Sequence, residues 1–373
     1  MGFALALTLA ELARGYVLTG FPWALPGHVW IGHAPAQMAA LVGANGLTLF
    51  TLVVAALLAM RRVVPALGAV ALVALAFGFG AWRLALPEPA ARDMVVRLVQ
   101  PDAEQSLKWD PLQADMFFRR LLDMTKAGAV PDLTVWPETA VPYLLEDSPQ
   151  VALAIAAAGR GSPVVTGIQR VDGWRFWNAM AVIGAGGGVG PVYDKHHLVP
   201  FGEYMPFGDV LYRWFGLRAF AAQQGNGYSA GTGPAVLDLG PLGKVLPLIC
   251  YEAVFPQDLR GVPERADWIL QITNDAWFGT LTGPYQHLAQ AELRAVEQGL
   301  PLLRVANTGI TAVIDARGRV LESLPLGARG VLDVAVPGAM GETPYAKWGE
   351  WPVLVLLGGL AAALGLAGRR KSA

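Results

Sequence analysis

The chain has 373 residues and a formal net charge of −1, from 28 lysines and arginines against 29 aspartates and glutamates, so its charge implies no polyanionic partner such as a nucleic acid. Hydrophobic residues make up 54% of the sequence and charged residues only 15%. Ordinary soluble domains carry about 25% charged residues, so this composition excludes a disordered or wholly soluble protein. The single cysteine excludes an internal disulfide framework and a zinc site built from several cysteines.

Apolar, uncharged runs predict membrane-spanning helices at both ends of the chain. A span needs roughly 20 apolar residues, and residues 38–60, 63–82 and 351–368 approach or reach that length without an acidic or basic side chain. Residues 2–12 are predicted to be part of a further helix and not a signal peptide, because no basic residue precedes them and Glu11 lies among them.

Basic clusters set the predicted orientation of these helices. Arg61 and Arg62 follow the first long run, and Arg369, Arg370 and Lys371 follow the last one. Such clusters concentrate on the cytoplasmic side of a membrane, so the residues between the second and third runs must lie outside the cytoplasm. The sequence therefore predicts three parts: transmembrane helices in residues 1–86 with an outward loop at 15–37, an extracytoplasmic domain at 87–347, and a C-terminal transmembrane helix at 351–368.

The extracytoplasmic domain is predicted to be an α/β domain. Short apolar or β-branched runs typical of strands occur at residues 94–99, 133–136, 164–168, 179–183, 245–249, 268–273, 302–306 and 312–314. Helical patterns occur at residues 111–127, 149–158 and 284–298. The glycine- and proline-rich segments 184–191 and 225–234 are predicted to be turns and connections.

Three reactive residue types stand at element boundaries in this domain. Cys250 ends an apolar run, Glu138 follows the run Leu133-Thr-Val-Trp-Pro, and Lys195 opens a segment that also contains Glu203. A cysteine that attacks a carbonyl carbon needs a base for its proton and a cation for the oxyanion. Each residue alone is at least as well explained as a buried structural cysteine or a solvated loop charge, but their combination favours catalysis.

The sequence around these residues resembles the nitrilase superfamily and, more closely, its membrane-embedded branch, the apolipoprotein N-acyltransferase family. The resemblance lies in Trp136-Pro-Glu138, Lys195-His-His-Leu-Val-Pro-Phe-Gly-Glu203 and Cys250-Tyr-Glu252. It extends over essentially the whole chain and includes residues 18–23, 273–278 and 306–309. The family begins with more membrane spans than are visible here, so we expect the chain to be short at its N-terminus.

The resemblance implies an αββα sandwich outside the inner membrane of a bacterium, with several membrane passes and a cytoplasmic C-terminus. It implies transfer of an acyl chain from a phospholipid of the phosphatidylethanolamine type to the N-terminal amine of the diacylglyceryl-cysteine of an apolipoprotein. In that reaction Cys250 is the nucleophile that forms a thioester, Glu138 the general base and Lys195 the cation at the oxyanion. We expect a monomer that uses no cofactor and contacts membrane lipid but no nucleic acid.

The resemblance also implies supporting residues around this triad. Glu203 matches an additional acid that holds Lys195, Tyr251 and Glu252 match positions beside the nucleophile, and Asn178 resembles an asparagine on the strand before the lysine segment. The residues expected to guide lipid access are all aromatic: Phe21, Trp23, Trp214, Phe215, Trp277 and Phe278. The aromatic segment after Glu203 has an equally weighted alternative, an insertion packed on the domain.

Two other functions remain open on the sequence alone. One is a membrane-anchored amidase with the same triad, although the bracketing spans would be unnecessary for a soluble amide. The other is a catalytically silent membrane scaffold. No metal site is expected, because the five histidines lack metal-ligand spacing, and His196 and His197 are predicted to point apart on an extended chain.

Overall fold

The computed structural model describes residues 1–206, Trp214 and residues 227–372. Among these residues the helices are α1 (Gly2–Arg14), α2 (Ala39–Ala59), α3 (Val63–Leu84), α4 (Pro111–Lys126), α5 (Pro149–Gly159), α6 (Gly283–Gln298), α7 (Pro344–Trp348) and α8 (Trp351–Ser372). The strands are β1 (Val95–Gln100), β2 (Leu133–Val135), β3 (Val164–Asp172), β4 (Arg175–Ile183), β5 (Val189–Asp194), β6 (Leu237–Asp238), β7 (Lys244–Ile249), β8 (Trp268–Thr273), β9 (Leu302–Ala306), β10 (Thr311–Ile314), β11 (Val320–Leu324) and β12 (Gly330–Ala335).

The strands form two six-stranded sheets that pack face to face. The first sheet has the order β12-β1-β2-β3-β4-β5 and the second β11-β10-β9-β8-β7-β6. The main hydrophobic core lies between them and combines side chains of both sheets, such as Val96 and Met180 with Val245 and Leu270. Outer cores join the first sheet to α4 and α5 and the second sheet to α6. This helix–sheet–sheet–helix arrangement confirms the predicted layered α/β domain.

Parallel pairing places the chemically important strand ends together. Strands β1, β2 and β3 run parallel in the first sheet, and β7, β8 and β9 run parallel in the second. The central strands β2, β8 and β9 are buried along their whole length, and β7 is buried after its first residue, which explains why apolar residues predominate in these strands. Ligands of such sheets usually bind at the carboxyl ends of the parallel strands, and Glu138 and Cys250 both follow these ends.

The structure contains strands that the sequence pattern missed. The glycine- and proline-rich segment 184–191 was predicted to be a connection, but its second half belongs to β5, which pairs antiparallel with β4. Strands β5, β11 and β12 are largely exposed or half-buried, so they lack the apolar run that identifies a core strand. Backbone pairing with a neighbouring strand fixes them instead.

The apolar ends of the chain are helical, as predicted. Within the part of the chain that the structure describes, two helical segments are long and apolar enough to cross a membrane, Ala34–Ala59 and Val63–Leu84. Helix α2 packs against α6 of the α/β domain through a cluster that contains Leu47, Leu293 and Val296. It also packs against α1 and α8, so these helices and the domain form one continuous structure.

Candidate active site

Glu138, Lys195 and Cys250, the three predicted catalytic residues, lie together at one edge of the two sheets. They follow β2, β5 and β7 respectively, and their exposed fractions are 5%, 1% and 4%. The charges of Glu138 and Lys195 both act on the Cys250 thiol. A carboxylate, an ammonium group and a thiol are therefore collected in a site that is largely shielded from water.

Cys250 occupies a strained position between a strand and a short 3₁₀-helix, Cys250–Val254. Its φ angle is +52°, in the left-handed region that non-glycine residues rarely adopt. The Gln271 side chain donates a hydrogen bond of 3.1 Å to the Cys250 carbonyl oxygen. Such strain persists only where surrounding contacts determine the geometry, as at many active sites.

The Glu138 carboxylate is held at both oxygens by neutral donors. Asn178 Nδ2 donates to Oε1 at 2.7 Å, and the backbone N–H of Asn274 donates to Oε2 at 2.9 Å. The backbone of Glu138 passes so close to Gly167 on β3 that a Cβ there would lie 2.6 Å from the Glu138 Cα. The orientation of the carboxylate is thus fixed by contacts from three separate elements.

Lys195 is bound mainly by Glu203. Its Nζ lies 2.9 Å and 2.8 Å from the two Glu203 carboxylate oxygens and 3.6 Å from Glu138 Oε1. Asn178 Nδ2 also donates to Glu203 at 3.0 Å and so bridges the two acids. Burial opposes the charge of Lys195, but Glu203 and Glu138 outweigh it and raise the pKa of Lys195 above its usual value.

The electrostatics favour a neutral thiol beside an acceptor for its proton. Burial, together with the Glu138 charge, raises the pKa of the Cys250 thiol well above its usual value. Burial also raises the pKa of Glu138, against the opposing effect of Lys195. A thiol that stays protonated until attack needs an adjacent base, and Glu138 is the carboxylate placed to take its proton.

Glu252, predicted to support the nucleophile, joins the Cys250 turn to the Lys195 segment. Its carboxylate accepts hydrogen bonds from the Ile249 N–H at 2.7 Å, the Tyr193 hydroxyl at 2.8 Å and the His196 N–H at 2.9 Å. Tyr251 points to the N-terminal part of the chain, where its hydroxyl lies 3.4 Å from the Gly20 carbonyl oxygen. Glu252 therefore fixes the distance between two catalytic segments.

Two of the aromatic residues predicted to guide lipid access, Trp23 and Phe278, lie against His287, which contacts the Cys250 backbone. Trp23 packs on Phe278 and His287, at ring-centroid distances of 5.3 Å and 5.9 Å, and Phe21 stacks on Trp23 at 6.3 Å. Trp277 is half exposed and Trp214 largely exposed. Phe215 lies outside the described residues.

A buried polar cluster next to Cys250 was not predicted from the sequence. Asp275, His287 and Arg304 are buried and bound to one another, and His287 Nε2 lies 3.1 Å from the Cys250 carbonyl oxygen. Burial and the neighbouring Arg304 charge lower the pKa of His287. One feature of the sequence could have indicated this cluster: the segment 273–278, which resembles the family and contains Asp275.

The prediction that His196 and His197 point apart is wrong. His197 Nδ1 lies 2.8 Å and His196 Nε2 lies 3.6 Å from Asp258 Oδ2, because the chain turns after β5 and does not stay extended. These three side chains could together approach a metal ion. His197 already forms a hydrogen bond with Asp258 through Nδ1, and its Nε2 contacts the Thr19 carbonyl oxygen at 2.8 Å.

Two protein families match this chain. Residues 96–345 match the carbon-nitrogen hydrolase family, and residues 1–57 match the N-terminal domain of apolipoprotein N-acyltransferases. The chain resembles a mutant of the amidase from Nesterenkonia sp. AN1, with acrylamide added to its active-site cysteine. The TM-score is 0.50 and the identity 19%, over 70% of this chain and 98% of the amidase. At that identity the resemblance concerns the fold alone.

Bacterial relatives match over nearly the full length of the chain. An apolipoprotein N-acyltransferase of Bradyrhizobium diazoefficiens is 39% identical over 401 residues, which cover 100% of this chain and 74% of the relative. One from Brucella melitensis is 40% identical over 393 residues, which cover 98% and 73%. The Glu-Lys-Cys site, the two-sheet fold and these matches agree, and the chain belongs to the apolipoprotein N-acyltransferase family.

Proposed function

We propose that this chain is an N-acyltransferase that moves an acyl chain from a phospholipid to the N-terminal amine of an apolipoprotein through a thioester on Cys250. The observation that carries this proposal is that Cys250, Glu138 and Lys195 are buried together beside the loop between α1 and α2, which Tyr251 contacts at Gly20. The donor is of the phosphatidylethanolamine type, and the acceptor is a diacylglyceryl-cysteine.

In the first half-reaction Glu138 accepts the thiol proton as the Cys250 sulfur attacks the ester carbonyl carbon of the phospholipid. Lys195 stabilises the negative oxygen of the tetrahedral intermediate, a contribution that is large in a site excluded from water. The carbon–oxygen bond of the ester then breaks, and Glu138 returns the proton to the departing lysophospholipid alkoxide. The acyl chain remains on sulfur as a thioester.

In the second half-reaction the apolipoprotein amine, in its neutral form, attacks the thioester carbonyl carbon. Glu138 accepts a proton from the amine and Lys195 again stabilises the oxyanion. The carbon–sulfur bond breaks, the amide forms, and the thiol regains its proton from Glu138. The same three side chains therefore serve both halves of a ping-pong reaction.

The supporting residues act by holding the triad in place. Asn178 donates to both acids and bridges them, and Glu203 binds Lys195 so that its ammonium group stays beside the reacting carbon. Glu252 ties the nucleophile turn to the lysine segment, and Tyr251 joins that turn to the N-terminal loop. These contacts provide the preorganisation that electrostatic catalysis requires.

The chain is a multi-pass protein of the bacterial inner membrane and acts as a monomer. Residues 1–86 form membrane helices with an outward loop at 15–37, residues 87–347 form the extracytoplasmic catalytic domain, and residues 351–368 return to the cytoplasm. Helix α3 supports this topology, because a helix of mean hydropathy 2.2 has only 17% of its most apolar window buried within the protein. An apolar surface of this kind requires lipid or another apolar partner.

The aromatic contacts of Trp23 give a test of lipid access. Replacing Trp23 by Ala removes its packing on Phe278 and its 2.7 Å hydrogen bond to Gln286. We expect the rate of Cys250 acylation at low phospholipid concentration to fall by about tenfold, because about 1.4 kcal/mol of aromatic contact is lost. Trp174→Ala, which removes a tryptophan that is 80% exposed, is the matched control. Equal rates in the two variants would exclude Trp23 from lipid access.

The thioester itself tests the proposed function. The purified chain in detergent is incubated with alkyne-tagged phosphatidylethanolamine, and Cys250 is analysed by mass spectrometry for an adduct that hydroxylamine removes. We expect an adduct that persists until a lipopeptide amine is added and that is absent from Cys250→Ala. Turnover in water alone would favour an amidase-like hydrolase instead. A folded chain that forms no adduct would contradict the proposal.

A further inference from the structure

Lys108 is a buried cation beside Glu138, the candidate base, and no role for it was predicted from the sequence. It lies in the loop between β1 and α4, with an exposed fraction of 5%. Its Nζ donates hydrogen bonds to the Glu138 carbonyl oxygen at 3.1 Å and to Thr139 Oγ1 at 2.9 Å. No carboxylate oxygen of the described residues lies within 4 Å of this Nζ. Burying an ammonium group without an adjacent anion is costly, so the position calls for a functional explanation.

The charges around Glu138 give that explanation. The groups that face its carboxylate are Lys195, Glu203, Lys108 and the Cys250 thiol, together with the neutral donors Asn178 and Asn274. Two acids and Lys195 leave this buried centre with one net negative charge while the thiol is neutral. Glu203 also takes the closest contacts of Lys195, at 2.8 Å and 2.9 Å against 3.6 Å for Glu138. Lys108 supplies the second positive charge that balances the centre.

The backbone contacts of Lys108 act on the same residue. Thr139, which follows the base, has a φ angle of +43°, an unfavourable conformation for a β-branched residue. Lys108 holds this turn through the Glu138 carbonyl and the Thr139 hydroxyl. The same loop reaches the carboxylate side as well, because Gln105 accepts a hydrogen bond from the side chain of Asn274, whose N–H binds Glu138.

We propose that Lys108 is a positioning residue that keeps Glu138 ionised and fixes its turn, so that the base can accept the thiol proton near neutral pH. This inference rests on the proposed role of Glu138. Burial lowers the pKa of Lys108 to about 8, against the opposing charge of Glu138, so Lys108 is still largely protonated at neutral pH. Lys108 gradually loses its charge above neutral pH, where Glu138 stays ionised without a second neighbouring cation.

The test compares charged and neutral side chains at position 108. Removing a cation beside a carboxylate disfavours the ionised form and raises its pKa, so less base is available on the acidic side. We expect Lys108→Met and Lys108→Gln to move the acidic limb of the Cys250 acylation rate upward by about one pH unit, or about tenfold in rate below the midpoint. Lys108→Arg keeps the charge and is expected to keep the acidic limb within about 0.3 unit of the unmodified chain.

The measurement is the single-turnover rate of Cys250 acylation by alkyne-tagged phosphatidylethanolamine between about pH 5.5 and 9.5 in detergent. Lys126→Met, which removes an exposed lysine at the end of α4, is the matched control and should leave the profile unchanged. Melting temperatures establish folding. If Lys108→Met does not fold, Lys108→Gln, which retains a donor, gives the same comparison.

Three outcomes would overturn the inference. One is an unchanged acidic limb in both neutral variants. The second is an equal shift in Lys108→Arg, because the charge would then be irrelevant. The third is a rise in the phospholipid KM without any shift, because Lys108 would then bind substrate. These outcomes differ from a failure of the proposed function, in which the unmodified chain itself forms no adduct on Cys250.

Discussion

Replacing Glu203 by Gln is expected to lower the rate of Cys250 acylation by about 10²–10³-fold without unfolding the chain. Glu203 accepts both close contacts of Lys195, at 2.8 Å and 2.9 Å. It also accepts the Val199 N–H at 2.9 Å. Together with the 3.0 Å hydrogen bond from Asn178, these are four contacts. A neutral amide offers only one acceptor oxygen for them, and its NH₂ group would face a donor.

The loss of the Glu203 charge would change the basicity of Glu138. Lys195 lies 3.6 Å from Glu138 and would move toward that carboxylate once Glu203 loses its charge. A tight ion pair lowers the basicity of Glu138 and withdraws the cation from the oxyanion. Single-turnover acylation with the tagged phospholipid measures this loss, and a melting curve establishes folding.

Glu264→Gln is the control for this prediction, because Glu264 forms a surface ion pair with Lys244 and is 46% exposed. We expect this variant to acylate Cys250 at the rate of the unmodified chain, since exposed ion pairs contribute little. A Glu203→Gln rate within about threefold of that rate would show that Lys195 keeps its position without Glu203.

Replacing Gly43 by Ala is expected to destabilise the chain by about 2–5 kcal/mol. Helix α2 breaks at Gly43, where φ is +64° and ψ is −173°, a conformation that L side chains rarely adopt. An added Cβ would also overlap the ring of Tyr345, which is fully buried against this break. Both the backbone strain and the steric conflict oppose the folded state.

The melting temperature in detergent measures this effect, with Gly78→Ala as the matched control. Gly78 lies in α3, is exposed, and has no neighbouring atom within 4 Å of an added Cβ. Alanine there should leave the stability unchanged or raise it by about 0.5–1 kcal/mol, the difference in helix propensity. Equal melting temperatures of the two variants would mean that α2 can straighten past Tyr345.

The break at Gly43 joins the apolar helices to the catalytic domain. It leaves the Ala44 N–H without a partner inside the helix, and Glu297 of α6 accepts that hydrogen at 2.9 Å. Arg294 binds the Glu297 carboxylate and also donates to the Val254 carbonyl oxygen, at the end of the 3₁₀-helix that begins with Cys250. A continuous set of polar contacts therefore runs from α2 to the nucleophile helix.

The pattern of apolar runs predicted an α/β domain, and the family resemblance implied its αββα layers. Strands such as β7 and β8 are buried on both faces, so their apolar runs identified them, and the long uncharged segments identified α2 and α3. Strands β5, β11 and β12 were not predicted from the sequence, because their side chains are mostly exposed or half-buried. Their positions depend on backbone pairing, of β5 with β4, of β11 with β10 and of β12 with the distant β1, and such pairing leaves no periodic signal in the sequence.

The candidate site likewise contains residues that were predicted from the sequence and residues that were not. Glu138 and Cys250 were predicted because each follows an apolar run, and Lys195 because it opens a segment that also contains Glu203. The side chains of all three are suited to acyl transfer. Lys108 and His287 carry no such local signal, since a lysine in a loop and a histidine in a helix are ordinary in sequence. Their importance comes from burial and from contacts across 30 or more residues, between Lys108 and Glu138 and between His287 and Cys250. Only the tertiary structure brings those groups together, because desolvation and charge balance depend on every element that surrounds a site.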